Sequence, residues 1–175
     1  MTSVRVRRIR ADEAGALRDI RLRALADAPL AFASTHAREV AYPPETWEAR
    51  ARDAASGPRQ AIFFATDAHD APVGLAMGVV EQDGSGMAHL YAMWVAPEAR
   101  GAGAARAIVD STVAWASEQG AAGMRAAVTV GNDAALRLYE RAAFRDTGAR
   151  EPLGHSGAEA AILERALEPR AQASG

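Results

Sequence analysis

Apolar and polar positions fall into blocks with two distinct periods along the chain. Residues 4–9 set Val4, Val6 and Ile9 among arginines and predict a first strand. Asp12 then stands where an N-cap is expected, ahead of a helix carrying Leu17, Ile20, Ala24 and Leu25 near one stripe and ended by Pro29. Residues 32–42 are ambiguous, with a short helix as one reading. Pro43 and Pro44 open a polar helix through Trp47 to about residue 55, since proline suits a first turn. The runs AIFFAT (61–66) and VGLAMGVVE (73–81), separated by the turn-rich DAHDAP, predict an antiparallel pair. A third strand, 87–95, follows the loop 82–86 and stops before Pro97, which cannot continue a central strand. A helix from about Gly103 puts Ala105, Ile108, Val109, Thr112, Val113 and Ala116 on one face, and Gly120 and Gly123 interrupt it. A buried strand over 125–130, a helix over 132–142 and weaker strands at 145–150 and 158–167 complete the order. No internal repeat is visible. The expected organisation is one domain over 1–168 with a flexible tail at 169–175, and the mixed order predicts an α/β fold of the α+β type.

Composition narrows the chemistry by what is missing. The 175 residues contain no Cys, which excludes disulfides, a catalytic thiol and thiolate metal sites. All 20 positive side chains are Arg, and without Lys neither a Walker-type phosphate loop nor a pyridoxal Schiff base can form. The formal net charge of −2 argues against a general nucleic-acid binder, which must neutralise many phosphates. About a quarter of the chain is Ala, so the larger apolar residues supply one modest core. The opening MTSVRVRRIR has charge without an apolar stretch behind it, and no run approaches a membrane span, so the expectation is a cytoplasmic protein with neither membrane nor nucleic-acid partners.

The segment with chemical character is VAPEARGAGAA, residues 95–105, at a strand–helix junction. Small residues there let a ligand approach the backbone, and the first helical N–H groups have no intrahelical acceptors. The combination suits a phosphate or diphosphate, with Arg100 adding charge at its edge; a tight connection in an Ala-rich chain reads the same residues without a ligand. A dinucleotide fingerprint fits poorly, because Arg106 occupies the place of its third glycine.

At these residues the sequence resembles the GNAT superfamily of N-acetyltransferases. Their signature, Arg/Gln-x-x-Gly-x-Gly/Ala, is met by Arg100, Gly101, Ala102, Gly103, Ala104 and Ala105, after the frequent Val-x-Pro lead at Val95. A second block, Asn-x-x-Ala-x-x-Leu-Tyr-x-x-x-Gly-Phe, appears as Asn132, Ala135, Leu138, Tyr139 and Ala143-Phe144, with Ala143 where Gly is usual. The likeness is close over about 85–145; the first sixty residues match only in element order. It implies a mixed, mostly antiparallel central sheet of about six or seven strands with helices on both faces.

The resemblance also implies roles. Acetyl-CoA would be the cosubstrate, its diphosphate held by the backbone of 100–105 and its pantetheine arm by exposed groups where the strand ending at Val95 splays from the strand ending at Val130. Met93 and Val95 would line that notch, and a backbone N–H near Val95 would face the thioester oxygen, a kind of oxyanion contact often worth about 3–4 kcal/mol. Tyr139 is the expected general acid for the departing thiolate, because a phenol stays protonated at neutral pH; packing alone is its other reading. Asn132 suits an N-cap and a coenzyme contact equally. His89 alternates with Tyr91, Met93 and Val95, which points it at the notch as a proton acceptor, with Glu81 second; a partly buried, structural His89 is the alternative. His69 and His155 fall in turn-like stretches, and nothing in the four histidines suggests a metal site. Arg137, Arg141 and Arg145 offer charge to a 3′-phosphate or form a solvated face.

The acceptor pocket is expected from 29–47 and 145–160, where Phe32, Glu39, Tyr42 and Trp47 form either an aromatic-plus-acid seat for a cationic amine or ordinary packing. The predicted activity is direct transfer of acetyl to a primary amine of a small molecule or peptide, with a homodimer as a family-level expectation. The rival function is a noncatalytic acyl-CoA-binding sensor or interaction module, and a nucleotide-binding protein is a third.

Overall fold

The computed structural model describes residues 4–154 and 156–168; the expected tail at 169–175 and His155 lie outside them. Strand β1 (Arg5–Arg8) leads into helices α1 (Ala14–Asp27), α2 (His36–Val40) and α3 (Pro44–Ser56). Strands β2 (Gln60–Thr66), β3 (Pro72–Val80) and β4 (Met87–Val95) follow, then a 3-10 turn (Pro97–Ala99) and helix α4 (Ala104–Glu118). Strand β5 (Gly123–Thr129), helix α5 (Asp133–Arg141) and strands β6 (Arg145–Leu153) and β7 (Ala158–Ala166) complete the order. The strands form one seven-stranded sheet, β1-β2-β3-β4-β5-β7-β6. Neighbours are antiparallel except β4 and β5, which α4 joins as a parallel crossover.

Helices cover both faces. On one, Leu17, Ile20 and Leu25 of α1 and Trp47 of α3 pack with Ile62, Phe64, Leu75 and Trp94. On the other, Ile108, Val109 and Trp115 of α4 and Tyr139 of α5 pack with Phe63, Leu90, Met124 and Leu163. Alternate residues of β2 therefore enter different cores, and its unbroken apolar run AIFFAT is the consequence of burial on both sides. Helix α4 sits close on β3 because Gly78 has no side chain: a Cβ there would meet the Trp115 ring at 2.6 Å and Thr112 Cγ2 at 2.9 Å.

Two local outcomes depart from the sequence pattern. Glu13, not Asp12, immediately precedes α1, and it forms no side-chain cap. Its carboxylate instead accepts the Arg10 N–H at 2.8 Å and pairs with Arg7 at 2.7 Å, contacts that Asp12, exposed to solvent, does not make. At the end of α5, Ala143 adopts φ +64°, the left-handed geometry that glycine provides at no steric cost. The helix ends as the second motif requires, with an alanine bearing the strain. Ala143→Gly should accordingly raise stability by up to about 1 kcal/mol, measured by denaturant unfolding; unchanged or lower stability would show that the turn is not strained.

Candidate active site

The site begins where two strands part. The β4–β5 register runs from Met87↔Gly123 to Leu90↔Ala126 and goes no further, although both strands continue. On the other edge of β4 the register passes from Met77↔Tyr91 to Leu75↔Trp94, so Ala92 and Met93 together oppose Ala76. This is a bulge, with Ala92 at φ +57°. The extra residue reverses the alternation of β4. Leu90 before it and Val95 after it enter the α4 core, while Trp94 enters the α1–α3 core. Beyond the bulge, Ala96 N–H donates to Val73 O at 2.8 Å, so the neighbouring Val95 N–H turns the opposite way, toward the parted strands.

The reversal corrects the expected placement of His89. His89 and Tyr91 stand on the face opposite Met93 and Val95, with their rings stacked at 5.5 Å and 16°. His89 Nε2 lies 3.4 Å from Glu81 Oε1, which brings the two candidate proton acceptors together, and neither lines the cavity described below.

The loop after β4 leaves its backbone open to approach. Gly101 and Gly103 take φ +83° and +79°, and a Cβ on either would meet nothing within 4 Å. Glycine is needed there for the turn, and the space in front of it is open. Among the described residues the N–H groups of 101–106 find no backbone acceptor, and Gly103 provides no side-chain cap to α4. Ala102 is exposed, Ala104 is buried against the core, and Ala105 is half-buried. Arg100 turns back: its Nε donates to Val95 O at 3.0 Å and its Nη2 to Asp27 Oδ2 at 2.7 Å. Asp27 also accepts the Trp94 indole N–H at 2.9 Å, and these bonds hold its carboxyl below the usual aspartate range. Arg100 thus ties the loop to β4 and α1, with its charge engaged by Asp27.

A cavity of about 700 Å³ passes through the sheet where β4 and β5 part. Leu90, Met93, Asn132, Leu138 and Tyr139 line its α5 side; Tyr91, Ala127 and Thr129 lie between; Phe32, Glu39, Tyr42 and Trp47 line the far end. Tyr139 is 4% exposed and packs edge-on against Phe144 at 5.4 Å. Burial pushes its phenol well above the ordinary value, so it is a firm proton holder. Asn132 caps α5, its Oδ1 accepting the Ala135 N–H at 3.1 Å, while its side-chain NH₂ makes no bond among the described residues. At the far end, Glu39 is 2% exposed and accepts two bonds from Arg21 at 2.8 and 3.0 Å, with Arg50 at 3.6 Å.

A family model described as the acetyltransferase (GNAT) family matches residues 24–144. The chain belongs to the GNAT acetyltransferase family. A GNAT acetyltransferase from Streptococcus pneumoniae superposes with a TM-score of 0.80 at 16% identity, covering 94% of this chain and 99% of that one. A GCN5-related N-acetyltransferase from Kribbella flavida gives 0.70 at 25% identity, covering 94% and 98%. The yncA protein of Salmonella typhimurium, determined with its cofactor acetyl-CoA, gives 0.74 at 16% identity and covers 99% of both chains. A search of curated proteins by sequence finds no match.

The GNAT signature positions thus fall on the α4 N-terminus and on α5, the two elements flanking the parted strands. Arg137, Arg141 and Arg145 are exposed, as are His36 and His69. Among the described residues no group of three His, Cys, Asp or Glu side chains is placed to hold a metal ion, and no helix is long and apolar enough to cross a membrane. Sequence reasoning missed Ala92, which carries no bulge signal, and it missed Arg21 and Arg50. The last two had one: Arg21 sits four residues from both Leu17 and Leu25, inside an apolar stripe, and Arg50 lies between the buried Trp47 and Ala54.

Burial alone would raise the Glu39 pKa, but the Arg21 hydrogen bonds and the charges of Arg21 and Arg50 hold it below the ordinary glutamate range. The pair's contribution is therefore present above the unfolded glutamate pKa and lost as pH falls through the lower folded value. Stability of the wild type should fall more steeply than that of Glu39→Gln between about pH 5 and pH 3. At neutral pH the variant should be less stable by roughly 1–3 kcal/mol. Parallel acid-denaturation curves would show that Glu39 makes no such pair.

Proposed function

We propose that this protein is an acetyl-CoA-dependent N-acetyltransferase that moves the acetyl group directly to a primary amine of a small molecule or peptide. The observation that carries the reading is the position of Tyr139, a buried and firmly protonated phenol beside the opening between β4 and β5. The uncapped N–H groups of 101–106 suit the diphosphate, and the open space before Gly101 and Gly103 leaves room for it. Arg100 acts here by fixing the loop, not as a free charge. The unpaired edge of β4 beyond Leu90 offers backbone partners to an extended arm, and the NH₂ of Asn132 is a further donor in the cavity.

When bound, acetyl-CoA supplies an activated thioester. The Val95 N–H, turned into the notch, opposes negative charge developing on the acetyl oxygen. Tyr139 would give its proton to the departing sulfur as the carbon–sulfur bond breaks, and the amine nitrogen, once bonded to the acetyl carbon, would pass its own proton through water to the tyrosinate so formed, restoring the phenol. With no Cys in the chain, transfer within a ternary complex is the simplest course. The positions of His89 and Glu81 outside the cavity favour a second reading, an acyl-CoA-binding module without turnover.

Tyr139→Phe separates the two. The transferase reading expects kcat to fall roughly 100-fold with an amine panel while acetyl-CoA affinity, from the ligand-induced rise in Tm, changes little. Lost affinity with unchanged rate would remove Tyr139 from the acid role, and acetyl-CoA binding without thiol release for any amine would favour the module.

A further inference from the structure

The far end of the cavity carries more positive charge than its one acid can balance. Arg21, Arg38 and Arg50 line it, and among the described residues Glu39 is the sole lining carboxylate. That carboxylate is already engaged by Arg21 at 2.8 Å and Arg50 at 3.6 Å, which leaves two positive charges in excess. The aromatic faces suited to a cationic amine are also occupied. Arg21 lies over the Phe32 ring at 4.8 Å, and Arg50 lies over Tyr42 at 4.9 Å and Trp47 at 5.3 Å. The protein's own guanidinium groups fill the seat that the residue types suggested for a cationic ligand.

Two donors of these lining residues are left over. Among the described residues, Arg21 Nη1 and Trp47 Nε1 are both buried without a hydrogen-bond partner. Trp47 is 2% exposed, so its N–H has no bulk water to turn to. Buried N–H groups rarely stay unpaired, and here one belongs to a cation. Resting on the transferase reading above, we infer that the acceptor is a small amine that also carries an acid group, the simplest example being an α-amino acid. Its oxyanion is drawn by the surplus charge of Arg21, Arg38 and Arg50 and reaches Arg21 Nη1 or Trp47 Nε1 by displacing the side chains that now cover them, while its amine points toward the parted strands. Next to the lining residue Leu153, Gly154 closes against the backbone of Ala33, where even a Cβ would come within 2.8 Å of Ala33 Cα. A peptide chain fits such a site less well than a compact molecule. The excess charge also acts on the amine, because a positive surround disfavours the ammonium form and favours the neutral nucleophile that transfer needs.

The test compares the twenty amino acids with their carboxamides, and with tripeptide amides, on the full chain with acetyl-CoA. Thiol release gives turnover, and the rise in Tm of the CoA-loaded protein gives binding without chemistry. The inference expects the acid of at least one matched pair to exceed its carboxamide at least tenfold in kcat/KM. It also expects Trp47→Phe and Arg50→Gln each to raise KM for that acid at least fivefold, with kcat and the carboxamide's KM nearly unchanged. Carboxamides or peptides used as well as the acids, or variants that leave the acid's KM alone, would overturn it. If no amine is acetylated at all, the transferase reading fails by itself. The acid site then stands only if the acids still raise Tm above their carboxamides and Trp47→Phe abolishes the difference; otherwise it falls too.

Discussion

Everything distinctive in this molecule is arranged around backbone groups that two strands leave unshared. Strands β4 and β5 pair through Leu90 and Ala126 and then diverge, and each N–H or C=O so released in an interior costs about 1–3 kcal/mol unless something meets it. The fold accommodates the gap on every side. The bulge at Ala92 turns β4 away from its old alignment, α5 brings Tyr139 and Leu138 up against the opening, and Arg100 clamps the end of β4 through the Val95 carbonyl. The notch is an imperfect piece of sheet, and under the proposed function an extended ligand with its own amide groups relieves the residual cost.

The same economy appears in the charges. A chain without Lys places Arg wherever a cation is wanted, and Arg does what an ammonium cannot: it lies flat on an aromatic ring while donating in several directions at once. Arg21 covers Phe32, grips Glu39 with two bonds and still has Nη1 left over. Arg8 donates to the carbonyls of Ala54, Gly57 and Gln60 and so ties β1 to the end of α3. At the far end of the cavity this versatility produces a surplus of donors and of charge, and the chemical preference of the acceptor end follows from that surplus more than from its apolar lining.

The reach of sequence reasoning differs between the two ends of the site. The end with the loop is local: a glycine-rich bend and a capped helix are written in contiguous residues, so the turns at Gly101 and Gly103, the Asn132 cap and the helical place of Tyr139 were legible. The face of His89 was not, because it depends on counting alternation through Ala92, and an alanine gives no warning that it will take a left-handed conformation. The acceptor end was half legible. Phe32, Glu39, Tyr42 and Trp47, read either as a seat for a cationic amine or as ordinary packing, do line one cavity, and Arg21 and Arg50, from α1 and α3, occupy their carboxylate and ring faces.

The amino-acid sequence by itself determined the order of elements, the family and the glycine-rich bend, since each rests on periodicity or on conformational needs met within a dozen neighbouring residues. Only the tertiary structure decided which face His89 occupies, where Arg100 places its charge and what sign the far end of the cavity carries. Those are matters of long-range pairing: Asp27 with Arg100 and Glu39 with Arg21 meet across 73 and 18 residues of chain, and electrostatics depends on who meets whom in space.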